Sequence, residues 1–212
     1  MKVSGRITIL LAITAAVLTD CSGNGAGGPP SQSTAEFTDI RDGKVYKTIP
    51  IGRKNWMAEN MNYDVPDDTS DVCYENSAKN CEKYGRLYTW DAAQQACPAG
   101  YHLPTDNEWE ALVDYVGGKK KAGIKLKSSK VWESYKYYVR AGTDEYLFSA
   151  LPGGSASSGG AFSSAGKHGI WWSATESDTG DVWTRGMGYG VDGVVRGSSN
   201  KTRFFSVRCV AN

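Results

Sequence analysis

The stretch Cys97-Pro98-Ala99-Gly100-Tyr101-His102-Leu103-Pro104-Thr105-Asp106-Asn107-Glu108-Trp109 decides how the chain is read. Thr105 and Glu108 stand three apart just before an apolar run. In that spacing a Thr side chain accepts the N3 amide while a Glu reaches back to the N-cap amide, so two otherwise unpaired helix donors are satisfied. Trp109, Leu112, Val113 and Val116 then recur at i, i+3, i+4 and i+7, one apolar face of a helix. Gly117-Gly118 closes it. Upstream, Tyr88 to Ala96 also reads as helix, with Thr89 as N-cap, Asp91 in the first turn and three alanines. Cys97-Pro98 ends that helix, so the quoted stretch joins the chain's two main helices.

Either side of this pair the periodicity changes. Glu36 to Gly52 reads as a hairpin about Asp42-Gly43, a strong two-residue turn signal. Its second strand holds Pro50, which lacks an N–H and so belongs at a sheet edge or strand end. Asp64 to Asn80 is acidic and turn-rich. Its carboxylates are of the type that holds calcium, but the spacing is not that of an EF-hand and a solvated loop is the expectation. Lys119 to Ser128 is a candidate third short helix whose lysines read as solvated. Past Trp132 the expected elements are strands: Phe148–Gly154 running into a turn, Ile170–Thr175, Val182–Met187, a hairpin at Asp192-Gly193, and a last strand Phe204–Val210. Helices in the middle and short strands on both flanks define an α+β fold with antiparallel sheets and long Gly/Ser-rich loops.

Composition agrees. Gly makes up 25 of 212 residues, above the usual share of about 7 %, while seven Trp and twelve Tyr argue against disorder. With 24 Lys and Arg against 23 Asp and Glu, the charge gives no footing for a nucleic-acid binder. The N-terminus reads as an export address. Lys2 and Arg6 precede an apolar run from Ile7 to Leu18, long enough for a signal peptide and short of the roughly 18 residues of a spanning helix. Cys21 and a Gly/Pro/Ser-rich tether through residue 36 follow. This order resembles a bacterial lipoprotein start, in which the Cys is lipidated. Asp20 departs from the small residue that pattern has before the Cys, and Ser22 suggests outer-membrane sorting. The alternative is ordinary cleavage near Ala15-Ala16. Either route exports the chain to a compartment where disulfides persist. The remaining Cys73, Cys81, Cys97 and Cys209 allow three pairings. Cys73 with Cys81 suits a short surface loop, and Cys97 with Cys209 would then join the helices to the C-terminal strand. Zinc is disfavoured because there is no C-x-x-C pair and His102 and His168 lack ligand spacing.

Seven blocks, in order, resemble one known family. They are Ile51-Gly52 through Trp56-Met57-Ala58-Glu59-Asn60-Met61-Asn62-Tyr63, Tyr84-Gly85-Arg86-Leu87-Tyr88-Thr89-Trp90, Cys97 through Thr105, Glu108-Trp109, Phe148-Ser149-Ala150-Leu151-Pro152-Gly153-Gly154, Trp172-Ser173-Ala174-Thr175-Glu176, and Ser206-Val207-Arg208-Cys209-Val210. The chain from residue 37 to 212 is similar to the Fibrobacter succinogenes major paralogous domain. That resemblance implies a C-type-lectin-like fold, found on exported and lipid-anchored bacterial proteins, and it independently implies pairing of Cys97 with Cys209. It further implies that Trp90, Trp109, Trp171 and Trp172 are framework residues. The ligand face of lectin-like folds would fall on Trp183, Arg185, Tyr189, Arg196 and Arg203. The calcium triplets of sugar-binding lectins do not occur here.

Catalysis has no recognisable constellation. Glu108 and Glu176 are glycosidase candidates by residue type alone, there is no G-x-S-x-G elbow, and the late glycines are not a phosphate loop. The expectation is therefore a non-enzymatic protein without cofactor or metal, anchored to the membrane through its N-terminal lipid, at the outer membrane or cell surface. It would recognise a polysaccharide or a surface protein. An exported polysaccharide-acting enzyme and a structural envelope component are the alternatives.

Overall fold

The computed structural model describes residues 33–67, 69–134, 141–178 and 180–212. The signal segment, Cys21, most of the tether and Asp68 lie outside the described residues. Strands β1 (Ala35–Thr38), β2 (Val45–Ile51) and β3 (Lys54–Met57) open the fold. β4 (Asp71–Val72), helix α1 (Ala78–Tyr84), β5 (Leu87–Tyr88) and α2 (Trp90–Ala96) follow. Then come β6 (Tyr101–His102), α3 (Asp106–Tyr115) and α4 (Ala122–Leu126). The later half holds β7 (Ser155–Ala156), β8 (Phe162–Ser163), β9 (His168–Glu176), β10 (Val182–Gly188), β11 (Val195–Ser199) and β12 (Val210–Ala211). The antiparallel sheets are small: β1-β2-β3-β12-β6, β11-β10-β9, and two two-stranded ribbons.

The first hairpin forms where the Asp-Gly signal placed it. Gly43 takes φ 76°, Lys44 N–H donates to the Asp42 carboxylate, and the amides of Asp39 and Gly43 close the turn. β1 takes up Ala35 and Glu36 at the end of the tether. Pro50 is accommodated because the β1 register ends at Ala35 opposite Thr48, two residues short of it. Arg41 of the turn chelates the buried Asp39 carboxylate and donates to the carbonyls of Gln95 and Ala96. It thereby supplies a cation and donors to the C-terminus of α2, where unpaired carbonyls collect.

Strand alternation divides the interior in two. On β3, Trp56 faces a core with Trp109, Leu112, Phe148 and Trp171, while Met57 faces a second core with Tyr88, Ala93, Trp172 and Phe205. On β9, Trp171 and Trp172 part in the same way, and all three of Trp109, Trp171 and Trp172 are fully buried, with Trp90 partly so. The disulfides are Cys73–Cys81 and Cys97–Cys209, the second joining the end of α2 to the residue before β12.

Five local readings need correction. There are four α-helices among the described residues rather than two or three, because α1 begins inside the stretch read as acidic loop and runs past its end. Its N-cap side chain makes no capping bond, and what holds it is burial of Tyr84 and the disulfide at Cys81. In that same stretch Asp71 is not solvated. Its carboxylate accepts from Val65 N–H and from Arg86, and burial, the largest influence, keeps its pKa above the ordinary value despite those donors. Lys127 is fully buried, its ammonium donating to the carbonyls of Gly188 and Val191 beside the Trp132 ring. Phe148–Gly154 is not a strand, since Leu147 and Ser149 have positive φ and a lone bridge joins Ala150 to Lys127. Phe204–Cys209 is extended but forms no ladder. It threads between the cores and changes partner at nearly every residue: Ala156, Tyr88, Trp171, then Met61 and Met57.

Arg208 lies on that thread, fully buried, and among the described residues it makes no ion pair. Its guanidinium donates instead to Asn60 Oδ1 and to the carbonyls of Met57, Phe148 and Ser149, and lies over the Phe148 ring. Asn60 Oδ1 also accepts from Trp171 Nε1, so one amide joins β9, the C-terminal thread and the segment after β3. Gly85 makes room for this segment. It has φ 79°, and a Cβ there would lie 2.7 Å from both Asn60 Cβ and the Met61 carbonyl.

Candidate functional site

The N-terminus of α3 is where the five-stranded and three-stranded sheets meet. The predicted capping box is present: Thr105 Oγ1 accepts from Glu108 N–H, and Glu108 accepts from Thr105 N–H at 2.9 Å. Asp106, the first helical residue, bonds through its N–H to Thr175 Oγ1 on β9 at 3.0 Å. Its buried carboxylate receives Arg185 of β10, and Arg196 of β11 through Nε at 3.0 Å and Nη2 at 2.9 Å. Burial pushes the Asp106 pKa up, but the hydrogen bonds from Arg196 and Arg185, with their charges, outweigh it and hold the group below the ordinary carboxylate range. Arg196 in turn has its pKa raised, chiefly by the hydrogen bond to Asp106.

The second face of Arg196 is used as well. Its guanidinium carbon lies 3.3 Å from the ring centroid of Trp183, a stacked cation–π contact. Trp183 is half-buried and the Arg196 side chain is 46 % exposed, whereas Arg185 is buried. The result is a planar cation at the surface, fixed from beneath by Asp106, which Arg185 holds in turn, with an aromatic ring stacked on its face. Beside them is a cleft of about 230 Å³, with Glu110, Asp114, Lys119 and Arg196 around Val113 and Val194.

The structure thus brings together three of the five residues expected on a ligand face, and gives Arg185 an interior supporting place. The other two lie elsewhere. Tyr189, past the far end of β10, packs on the first core with its ring 5.9 Å from that of His168. Arg203 follows β11 and turns over the Phe205 ring. Asp106 is the residue that sequence reading missed: an acid in a first helical turn reads as a macrodipole partner, and nothing local marks it as the anchor of two distant arginines.

A larger cleft of about 490 Å³ lies between the β2–β3 turn and α3, with Ile51, Trp56 and Leu112 as its floor and Lys54, Glu108 and Tyr115 at its rim. Glu108 is saturated: besides Thr105 it contacts Lys54 Nζ at 3.0 Å and His102 Nε2 at 3.0 Å. His102 Nδ1 faces Asn212 Oδ1 at 2.7 Å, so both ring nitrogens are engaged. Glu176, the other glycosidase candidate by type, stands in a separate ion pair with Lys201 at 2.8 Å.

The fold and this site define a small disulfide-bonded α+β domain with its exposed polar and aromatic groups fixed at a sheet junction. The chain belongs to the Fibrobacter succinogenes major domain family, whose model matches residues 49–211, well over half of its length. No curated protein and no solved structure matches it.

Proposed function

We propose that this chain is an exported protein, lipid-anchored at Cys21 and tethered through residue 36, whose lectin-like domain recognises a glycan or a protein partner without catalysis. The single observation that carries the reading is the Trp183–Arg196 stack, exposed on one side and braced by Asp106 and Arg185 on the other. Aromatic and Arg side chains held rigid before binding lose little conformational entropy on contact, which is why such pairs dominate recognition surfaces. The lectin-like reading draws support from the meeting of the first and last described strands in one sheet, where β12 pairs with β3 beside the first hairpin.

The test is capture of the full chain, in mild detergent, on a glycan array and on insoluble polysaccharides. Loss of at least tenfold in signal for Trp183→Ala, with the melting temperature lowered by no more than about 4 °C, is the expected result. Release of reducing sugar from a polymer, or capture untouched by Trp183→Ala, would overturn the reading. Lipidation is read separately with a fatty-acid analogue: the label should vanish in Cys21→Ala.

A further inference from the structure

The two clefts that flank α3 differ in how their charges are answered. Helical spacing sorts the side chains of α3 between them: Glu110 and Asp114 line the smaller cleft with Arg196, while Asn107, Glu108, Ala111 and Tyr115 line the larger one. Among the described residues, Glu108 is the one carboxylate lining the larger cleft, and it is committed to Lys54, His102 and the capping box. Arg53 lines the same cleft. It is exposed, and among the described residues its side chain makes no ion pair, hydrogen bond or ring contact. The larger cleft therefore carries one cation that no acid answers.

Its walls are held in place. Gly52 and Arg53 form the two-residue turn between Ile51 and Lys54, which pair across β2 and β3. Gly52, at φ 65°, sits against Tyr115, so that a Cβ there would lie 3.5 Å from the ring. Tyr146 meets the same ring edge-on, with centroids 6.1 Å apart. Tyr115 is thereby positioned although it is 51 % exposed. An aromatic wall, an apolar floor and an unanswered guanidinium thus share a space of about 490 Å³, within the roughly 300–1,000 Å³ of small-molecule pockets.

We propose that this cleft binds a small carboxylic acid, with its apolar ring or chain between Tyr115 and the Trp56–Leu112 floor and its carboxylate on Arg53. The floor and the aromatic wall reward an apolar body. One unanswered guanidinium matches one carboxylate in a two-bond fork, whereas a phosphate monoester would set close to two charges against it. A sugar would find too few side-chain partners for its hydroxyls, because Lys54 and Glu108 are committed to each other and only Arg53 and Asn107 are left at the rim. The cleft lies on the other flank of α3 from Arg196, and the proposal does not rest on the recognition reading for the Trp183 face.

The experiment titrates the full chain, in zwitterionic nanodiscs, with phenylpropionate, its neutral amide and phenylpropylamine, read by calorimetry and by hydrogen exchange. Phenylpropionate should bind saturably at millimolar concentration or below and slow exchange within 51–54 and 107–115. The neutral amide should bind at least tenfold more weakly, and the amine not at all. Arg53→Gln, at an exposed turn position, should keep the melting temperature and bring phenylpropionate down to the level of the neutral amide, whose own affinity stays as it was. Equal affinity for acid and amide, an acid affinity unmoved by Arg53→Gln, protection confined to other segments, or no binding at about ten millimolar would each overturn the proposal. Trp183→Ala should leave the titration unchanged, so failure here leaves the recognition reading intact, and failure of glycan or protein capture leaves this site intact.

Discussion

Glu108→Gln separates charge from hydrogen bonding at the sheet junction. Gln keeps an acceptor for the Thr105 amide and serves in capping boxes almost as Glu does, so the helix start survives. What is removed is the charge facing Lys54 and His102. Burial is the largest single influence on the Glu108 carboxyl and pushes its pKa upward. Hydrogen bonds from the Thr105 amide, His102, Lys54 and the Thr105 hydroxyl together outweigh it and bring the value from 4.5 down to about 2. A carboxylate whose folded pKa is depressed stabilises the fold fully above its unfolded value, and that stability is lost as pH falls through the folded value. The shift corresponds to about 3 kcal/mol at about 1.36 kcal/mol per pH unit. Solvent access to the pair reduces this to about 2 kcal/mol. Urea unfolding followed by Trp fluorescence, for wild type and Glu108→Gln at a series of pH values, measures it. The variant should be about 2 kcal/mol less stable at pH 7 with an unchanged m-value. The gap should begin to close below about pH 4.5 and be nearly gone by about pH 2. A gap under about 0.5 kcal/mol at pH 7, or one that stays constant down to pH 2, would refute the assignment of this charge as the tie between α3, β3 and β6.

Two further substitutions test the packing. Gly123→Ala should be favourable by helix propensity, but the new Cβ would lie 2.2 Å from the Gly193 carbonyl; the expected loss is about 2–3 kcal/mol, and a higher melting temperature would show that α4 does not sit against the β10–β11 connection. Arg208→Met removes a donor from three buried carbonyls and leaves Asn60 Oδ1 with Trp171 Nε1 alone, so a loss of about 3–5 kcal/mol is expected, checked by calorimetry, and near-neutral behaviour would contradict the network.

Elements with their own local chemistry were legible in the sequence. Asp42-Gly43 gives the first hairpin, Thr89 and Thr105 give the starts of α2 and α3, and Asp192-Gly193 gives the β10–β11 connection. The spacing of Cys73 and Cys81 pointed to their pairing, and so to the other. What was not legible is held by distant partners. α1 has no cap signal because Tyr84 and a disulfide hold it. Lys127 looked solvated because a Lys in a basic run carries no mark of the two carbonyls waiting for it from residues 188 and 191. Phe204–Cys209 has strand composition because it is buried, but two cores compete for each of its residues and no ladder forms.

At the candidate site the resemblance named Trp183, Arg185 and Arg196, but the Asp106 that clamps them was not legible for the same reason, and this bears on how the site can be tested. Within four residues, the start of α3 sends Glu108 to the five-stranded sheet and Asp106 to the three-stranded one. Asp106 therefore supports the proposed recognition face and the joint between sheets at once. Removing it would leave the buried Arg185 without its carboxylate, at a cost of several kcal/mol whether or not anything binds, and would also free Arg196, so Asp106→Ala does not separate the two roles. Trp183 stands at the surface end of the same chain of contacts, stacked on Arg196. Its truncation forfeits the stack on Arg196, worth about 0.5–1 kcal/mol at an exposed site, while the clamp beneath stays in place. A binding defect in Trp183→Ala that exceeds this small stability change is accordingly the observation that would separate a surface built for recognition from one that only closes the fold.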